Sequence, residues 1–210
     1  MVIQRGQSWG SEGIAVHDLV WASSDVELAK HISAGRKDVA VSGGDMWRTI
    51  GSRSRRVLPG ETAMCLPIDV MHVEYQTVSG DLLAKMAVAS VVVRPANVRG
   101  GWLRGEISVV ANAQFLRKWD VAPRGHPNDG RVELTQVSRA MGLRQRWAAR
   151  SRLRTGTHLP HPLIKAKSVP SFVTNFDEGS QQVLWIDQQR IGQVKNVTIE
   201  VISDAAFLWM

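Results

Sequence analysis

The chain has 210 residues, 44% of them hydrophobic, with a formal net charge of +7 and a pI near 10.2. It is long enough to bury one good core, or one core with a reduced second domain, and its 18 Gly and 8 Pro among short β-type runs favour a sheet-dominated protein over a helical bundle. Cys65 stands alone and excludes an internal disulfide framework, Cys and His lack zinc-site clustering, and no apolar run reaches the roughly 18 residues of a membrane span.

In chain order, residues 1–17 are Gly- and Ser-rich with scattered apolar positions and read as an irregular lead-in; Met1–Arg5 lacks the apolar core of a signal peptide, so a cytoplasmic protein is expected. Leu19–Trp21 is a short strand. Ser23 or Ser24 caps a helix from Asp25 to about Ala34, with Val26, Leu28, Ala29 and Ile32 as its buried face and Gly35 as its stop. Val39–Val41 is a second strand, and Met46–Ile50 begins a helix or turn behind it. After the basic loop Arg53–Arg56, Ala63–Tyr75 alternates as strands do, and Gly80-Asp81 marks a hairpin turn. Leu82–Val93, Gly105–Gln114, Gly130–Val137, Leu163–Lys167, Ser171–Asn175, Gln182–Ile186 and Asn196–Ile202 are seven further β-type segments, as in a sandwich. Asp204–Met210 is a final short strand or terminal anchor, with Phe207 and Trp209 in the core. The fold class is α+β and β-rich: a small α/β unit over residues 1–76, then a β-sandwich over 77–210.

One window, Leu134 to Phe176, contains no Asp or Glu, yet it holds Arg139, Arg144, Arg146, Arg150, Arg152, Arg154, Lys165 and Lys167. Within it Met141–Arg154 reads as a helix on which Leu143 and Trp147 share a face. A basic helix with an apolar stripe suits an anionic membrane surface, with Arg144, Arg146, Arg150, Arg152 and Arg154 as the binding residues. The bland alternative packs the helix through Leu143 and Trp147 and leaves the arginines in water. Nucleic acid ranks last, because the window lacks the interleaved aromatics that stack bases. His158 and His161 flank Pro160 in this segment and could meet a phosphate or head group.

The segment Asp38–Trp47 carries the sharpest chemistry: a short apolar strand runs into Gly43, Gly44 and Asp45. Paired glycines let backbone N–H groups approach a phosphate while the acid reaches a metal or a hydroxyl. The segment resembles the Gly-Gly-Asp-Gly-Thr loop of the diacylglycerol kinase, sphingosine kinase and NAD kinase superfamily, with Met46 and Trp47 in the last two places. Further resemblance to bacterial diacylglycerol kinase-like lipid kinases lies in Val109–Gln114, Trp119–Pro123 and His126–Leu134, which follow the family's Asn-bearing strand and Pro-x-Asp-Gly loop, and in Arg154–Pro162 and Val183–Asp187. It covers roughly residues 36–210.

The resemblance implies that Asp187 stands at the family's general-base position, with Gln188-Gln189 in place of the usual Gly-Glu. It implies Gly43, Gly44 and Asp45 as a phosphate loop, and Asn128 and Asp129 as ligands of a structural metal. The family's Asn-Pro-x-Ser-Gly loop is missing before Arg36, and its Gly-Thr-Gly-Asn-Asp motif is replaced by Ile68–His72, leaving Asp69 as a remnant acid. Each lost charge-assisted phosphate contact costs about 1.5–3 kcal/mol, so the loss of several weakens ATP binding by powers of ten. With Met46 and Trp47 expected to crowd the corner, the chain reads as a degenerate, catalytically impaired relative that binds a lipid, metabolite or partner through its sandwich. Two alternatives stay open. One is an active, divergent ATP- and Mg²⁺-dependent lipid kinase using Asp45 and Asp187. The other is an interaction protein that dimerises through exposed sheet edges, its Arg-rich helix binding nucleic acid or a partner.

Overall fold

The computed structural model describes residues 8–51, 57–96, 102–177 and 181–210; the expected basic loop Arg53–Arg56 and the start Met1–Arg5 lie outside the described residues. Strands make up 48% and helices 15% of the chain, a β-rich α+β fold.

The N-terminal part contains β1 (Ser11–Ile14), β2 (Val20–Ala22), α1 (Asp25–Ser33), β3 (Asp38–Val41) and α2 (Gly44–Thr49). Ser24 caps α1, its hydroxyl accepting from Glu27 N at 3.3 Å, and Asp25 and Glu27 at one end with Lys30 and His31 at the other complement the helix dipole. Leu28 and Ala29 are buried as expected, whereas Val26 is 39% exposed. The hairpin signalled by Gly80 joins β4 (Thr62–Thr77) to β5 (Leu82–Ala87), with Gly80 at φ +102°.

The remaining strands are β6 (Ser90–Pro95), β7 (Ile107–Ala111), the small hairpin β8 (Phe115–Leu116) and β9 (Trp119–Asp120), and β10 (Val132–Val137). After α3 (Leu143–Arg152) come β11 (Ile164–Val169), β12 (Ser171–Asn175), β13 (Gln182–Ile186) and β14 (Gln189–Trp209). The expected continuous segment Leu82–Val93 is broken at Val88-Ala89, because the amides there turn away from the ladder toward a carboxylate described below. Conversely, Asn196–Ile202 and Asp204–Met210 belong to one strand, β14.

Apart from β8 and β9, the strands form one hydrogen-bonded sheet of twelve. Side chains from β4, β6, β10, β12, β13 and β14, including Met71, Val91, Leu134, Phe172, Leu184 and Val197, share one core, so the sheet is folded around it. β14 is the spine: it pairs with β13 at its start, with β12 and β4 in its middle, and with β4 and parallel β3 at its end. The sheet thus runs unbroken across the expected boundary at residue 76, since the chain's last strand returns to the N-terminal unit. A second core lies there, containing Leu28, Val39, Met46, Ile68, Val88 and Leu208.

The two long strands are locked at one place. Between Ile202 and Ala206 the β14 register slips, Asp204 takes φ +51°, and the fully buried Asp69 of β4 fills the bulge. Its Oδ1 accepts from Asp204 N at 3.0 Å and Asn128 Nδ2 at 3.2 Å, and its Oδ2 accepts from Gly130 N at 2.6 Å. Asp69→Ala removes the acceptor of Asp204 N and Gly130 N and one of the two acceptors of Asn128 Nδ2, and is expected to cost about 3 kcal/mol or more. Urea denaturation checks this: a shift in midpoint worth under about 1 kcal/mol would contradict it.

Candidate functional site

Parallel pairing of β2 with β3, Ala22 opposite Val41, sets the loops that follow them side by side. They meet closely enough to need glycine twice. A Cβ on Gly43 would lie 2.5 Å from Ser23 O, and Gly44, at φ +103°, would carry one 2.5 Å from the Asp25 carboxylate. The Asp25 side chain accepts from Asp45 N at 2.7 Å and Met46 N at 3.0 Å, the second and third amides of α2. Burial raises the Asp25 carboxyl above the usual carboxylate range although these two bonds favour its charge.

The expectation that Met46 and Trp47 crowd the corner is therefore corrected. Met46 is fully buried in the N-terminal core and Trp47 packs against the same core; Asp25 is what occupies the amides.

Asp45 faces the other way. Its Oδ1 accepts from Arg117 N at 2.7 Å and its Oδ2 from Gln188 Nε2 at 2.5 Å, while Arg117 Nε donates to Gln188 Oε1 at 2.6 Å. Gln188 and Asp187 form the tight β13–β14 turn at φ +67° and +45°, the left-handed pair that a two-residue hairpin requires. Asp187 itself is 4% exposed. Its Oδ2 accepts from Val88 N at 2.9 Å, and its Oδ1 from Ala89 N at 2.8 Å and Ser90 N at 2.9 Å. This is the carboxylate that breaks the β5–β6 run, and both its oxygens are engaged by backbone.

Asp25, Asp45 and Asp187 form a coupled acidic cluster. Burial, with the Asp25 carboxylate as the next contributor, raises Asp45 to about 6 and Asp187 to about 7. Asn128 and Asp129 lie apart from it. The Asn128 amide is shared between Asp69 and Asp204 Oδ1, and Asp129 Oδ1 accepts from Arg131 N at 3.0 Å. Among the described residues no group of three or more His, Cys, Asp or Glu is placed to hold a metal.

A second candidate site lies beneath α3. An apolar cavity of about 80 Å³ is lined by Ile107, Val109, Leu116, Val137, Met141 and Leu153, with Trp102 and Trp119 meeting edge to face at 5.4 Å. His158 reaches into it, 3% exposed, with neither ring nitrogen hydrogen-bonded among the described residues; burial lowers its pKa and the Asp120 carboxylate opposes that shift. His161 does not join it; its Nδ1 accepts from Leu163 N at 3.1 Å.

The basic helix is reoriented from expectation. Leu143 and Trp147 are 50% and 66% exposed, and Arg144, Arg150, Arg152 and Arg154 are also on the surface. Arg146 is turned inward and leaves that surface. It is 4% exposed and donates to the carbonyls of Met141 at 2.9 Å, Ser138 at 2.8 Å, Trp102 at 3.4 Å and Gly105, fastening the helix to the sheet. Sequence reasoning missed Asp25, read only as a helix start, and the whole cavity. The signal available for Asp25 was an acid at a helix start with Gly-Gly-Asp one α/β turn later.

Comparison with solved structures places the fold. Two structures of a candidate diacylglycerol kinase from Bacillus anthracis str. Sterne match with TM-scores of 0.62 and 0.63 at 11% identity, covering 91% and 90% of this chain and 77% and 76% of theirs. Yeast NADH kinase complexed with NADH matches at 0.54 and 8% identity over 91% of this chain and 60% of its own. No family model and no curated protein sequence matches the chain. The chain therefore has a diacylglycerol kinase-like and NAD kinase-like fold, and no helix among the described residues is long and apolar enough to cross a membrane.

Raised carboxyls give the acidic cluster a definite pH signature. Asp45 and Asp187 keep protons in the fold, up to about 6 and about 7, that the unfolded chain releases near 3.8, the ordinary range of an aspartate. The stability they confer is complete below pH 4 and declines as pH rises through those values, by up to about 1.4 kcal/mol per pH unit for each extra proton held. Asp45→Asn is expected to remove the part of this decline that runs from about pH 4 to about 6. Unfolding curves between pH 4 and 8 that keep their slope in the variant would contradict the assignment.

Proposed function

We propose that this chain uses the diacylglycerol kinase-like fold to bind a lipid rather than to transfer phosphate. The observation that carries the reading is the Asp25 carboxylate on the amides of Asp45 and Met46. An internal anion holds the donors that a nucleotide phosphate would need, and displacing it would leave a buried carboxylate unpaired beside Asp45 and Asp187. Phosphoryl transfer depends on positioning and clamping phosphate, so such a corner has little left to catalyse with.

The cavity beneath α3 supports the other half of the reading. On a scale where roughly 10–15 Å³ admits one water, its volume has room for about six methylene-sized groups. Their burial is worth about 0.8 kcal/mol each before the cost of immobilising the chain. The outer face of α3 suits delivery at a membrane: Trp147 and Leu143 would enter the interface of an anionic bilayer while Arg144, Arg150, Arg152 and Arg154 meet its phosphates.

Two measurements test this. Mg-ATP and Mg-ADP at millimolar concentration are expected to leave the melting temperature unchanged. Saturable stabilisation approaching the roughly 2.7 kcal/mol that a ligand gives at 100 times its Kd would overturn the reading in favour of an active kinase. In vesicle flotation the chain is expected to partition onto anionic but not neutral vesicles. The double change Arg144→Gln, Arg152→Gln should weaken that partitioning about 30-fold, at about 1 kcal/mol per arginine, and equal flotation of variant and wild type would remove α3 from the account.

A further inference from the structure

On the other side of the wall formed by Trp102, Leu116 and Trp119 lies a second, open pocket of about 160 Å³, lined also by Val92, Arg94, Arg117, Trp185 and Gln188. Two arginines and no carboxylate line it. The Arg94 guanidinium sits 5.2 Å from the Trp185 ring centroid and 5.7 Å from that of Trp102, and it makes no hydrogen bond or ion pair among the described residues. A half-buried guanidinium held between indoles but given no acceptor is unusual, because its five donors ordinarily find carbonyls or carboxylates. Arg146 on the far side of the same wall does so, with every bond going to backbone carbonyls.

Other observations point the same way. Trp185 Nε1 is buried without a partner among the described residues. Arg117 commits only Nε, to Gln188 Oε1, so its terminal nitrogens make no described bond. Arg190 adds a repulsive positive charge near Arg94, and burial together with that repulsion lowers the Arg94 pKa. The carboxylate with a described link to this group, Asp45, sits behind Gln188 and is spent on Gln188 Nε2 and Arg117 N. A pocket with excess positive charge, free donors and aromatic walls lacks one component, which is an anion.

We infer that Arg94 and Arg117, framed by Trp102, Trp119 and Trp185, form a receptor for an anionic head group, a phosphate monoester or a carboxylate, whose apolar chain passes beside the shared residues Trp102, Leu116 and Trp119 into the cavity beneath α3. The head-group half stands on the pocket itself; the chain half rests on the lipid-binding reading above. The ligand class is then a single-chain anionic amphiphile, with the guanidiniums supplying charge-assisted bonds and the indoles excluding water around them.

Titration calorimetry with four soluble probes tests it: octyl phosphate, octanoate, octanol and methyl phosphate, with tryptophan fluorescence as a second readout. Octyl phosphate or octanoate is expected to bind at least about tenfold more tightly than octanol, and Arg94→Gln is expected to erase that difference while leaving octanol binding unchanged. Arg117→Gln, at an exposed turn where loss of folding is not a concern, should weaken the anions in the same direction. The tighter of the two anions identifies the head group. If methyl phosphate binds as tightly as octyl phosphate and both depend on Arg94, the receptor stands and the chain reading falls. Should octanol and both anions bind alike and be indifferent to Arg94→Gln and Arg117→Gln, or should no probe bind, the receptor is refuted.

Discussion

A single carboxylate organises the N-terminal part of this molecule. Asp25 leaves the first turn of one helix and accepts from the second and third amides of the next, twenty residues on. The approach is so close that Gly43 and Gly44 are the only residues the backbone accommodates there. With its amides held, α2 starts where Asp45 points toward the sheet, and Asp45 then fixes Arg117 of the β8–β9 hairpin and Gln188 of the β13–β14 turn. Behind Gln188, Asp187 draws in three amides and splits what would be one strand into β5 and β6. Two helix starts, two hairpins and a strand break therefore depend on one chain of acid-to-amide contacts.

That chain explains how one fold can present two unlike ends. At the N-terminal corner Asp25, Asp45 and Asp187 each accept from amides, and burial, reinforced for Asp45 and Asp187 by the Asp25 charge, raises their pKa values. At the other end the same sheet carries groups that are not satisfied: an imidazole facing an apolar cavity, a guanidinium between indoles, and a tryptophan N–H without an acceptor. Buried polar groups are normally paired; among the described residues His158 and Trp185, which line the two adjoining cavities, hold three buried side-chain nitrogens without a partner, and Trp47, Ser90 and Asn112 hold others elsewhere. The basic outer face of α3 lies over the same region.

Much of this architecture was legible in the sequence. Ser24 and the apolar spacing of Leu28 and Ala29 indicate α1, Gly80 indicates the β4–β5 hairpin, and the resemblance to diacylglycerol kinase-like proteins agrees with the fold of the structural neighbours. What could not be read was decided by partners distant in the chain. The run Leu82–Val93 is apolar enough for one strand, and only the carboxylate of Asp187, about a hundred residues away, turns its amides aside. Met46 and Trp47 invited a steric account of the corner, yet helix geometry sends Met46 into the core and leaves the filling to Asp25. Leu143 and Trp147 share a helix face, which suits burial as well as exposure; the inward turn of Arg146, set by four carbonyls, decides for exposure.

Amide hydrogen exchange at Asp45 and Met46 tests the central contact most directly. If Asp25 closes the loop, both amides in the unliganded protein exchange as slowly as the central strands of the sheet, and in Asp25→Ala they exchange at the rate of an open loop while β14 stays protected. Rapid exchange of both amides in the wild-type chain, or protection unchanged by the substitution, would contradict the account.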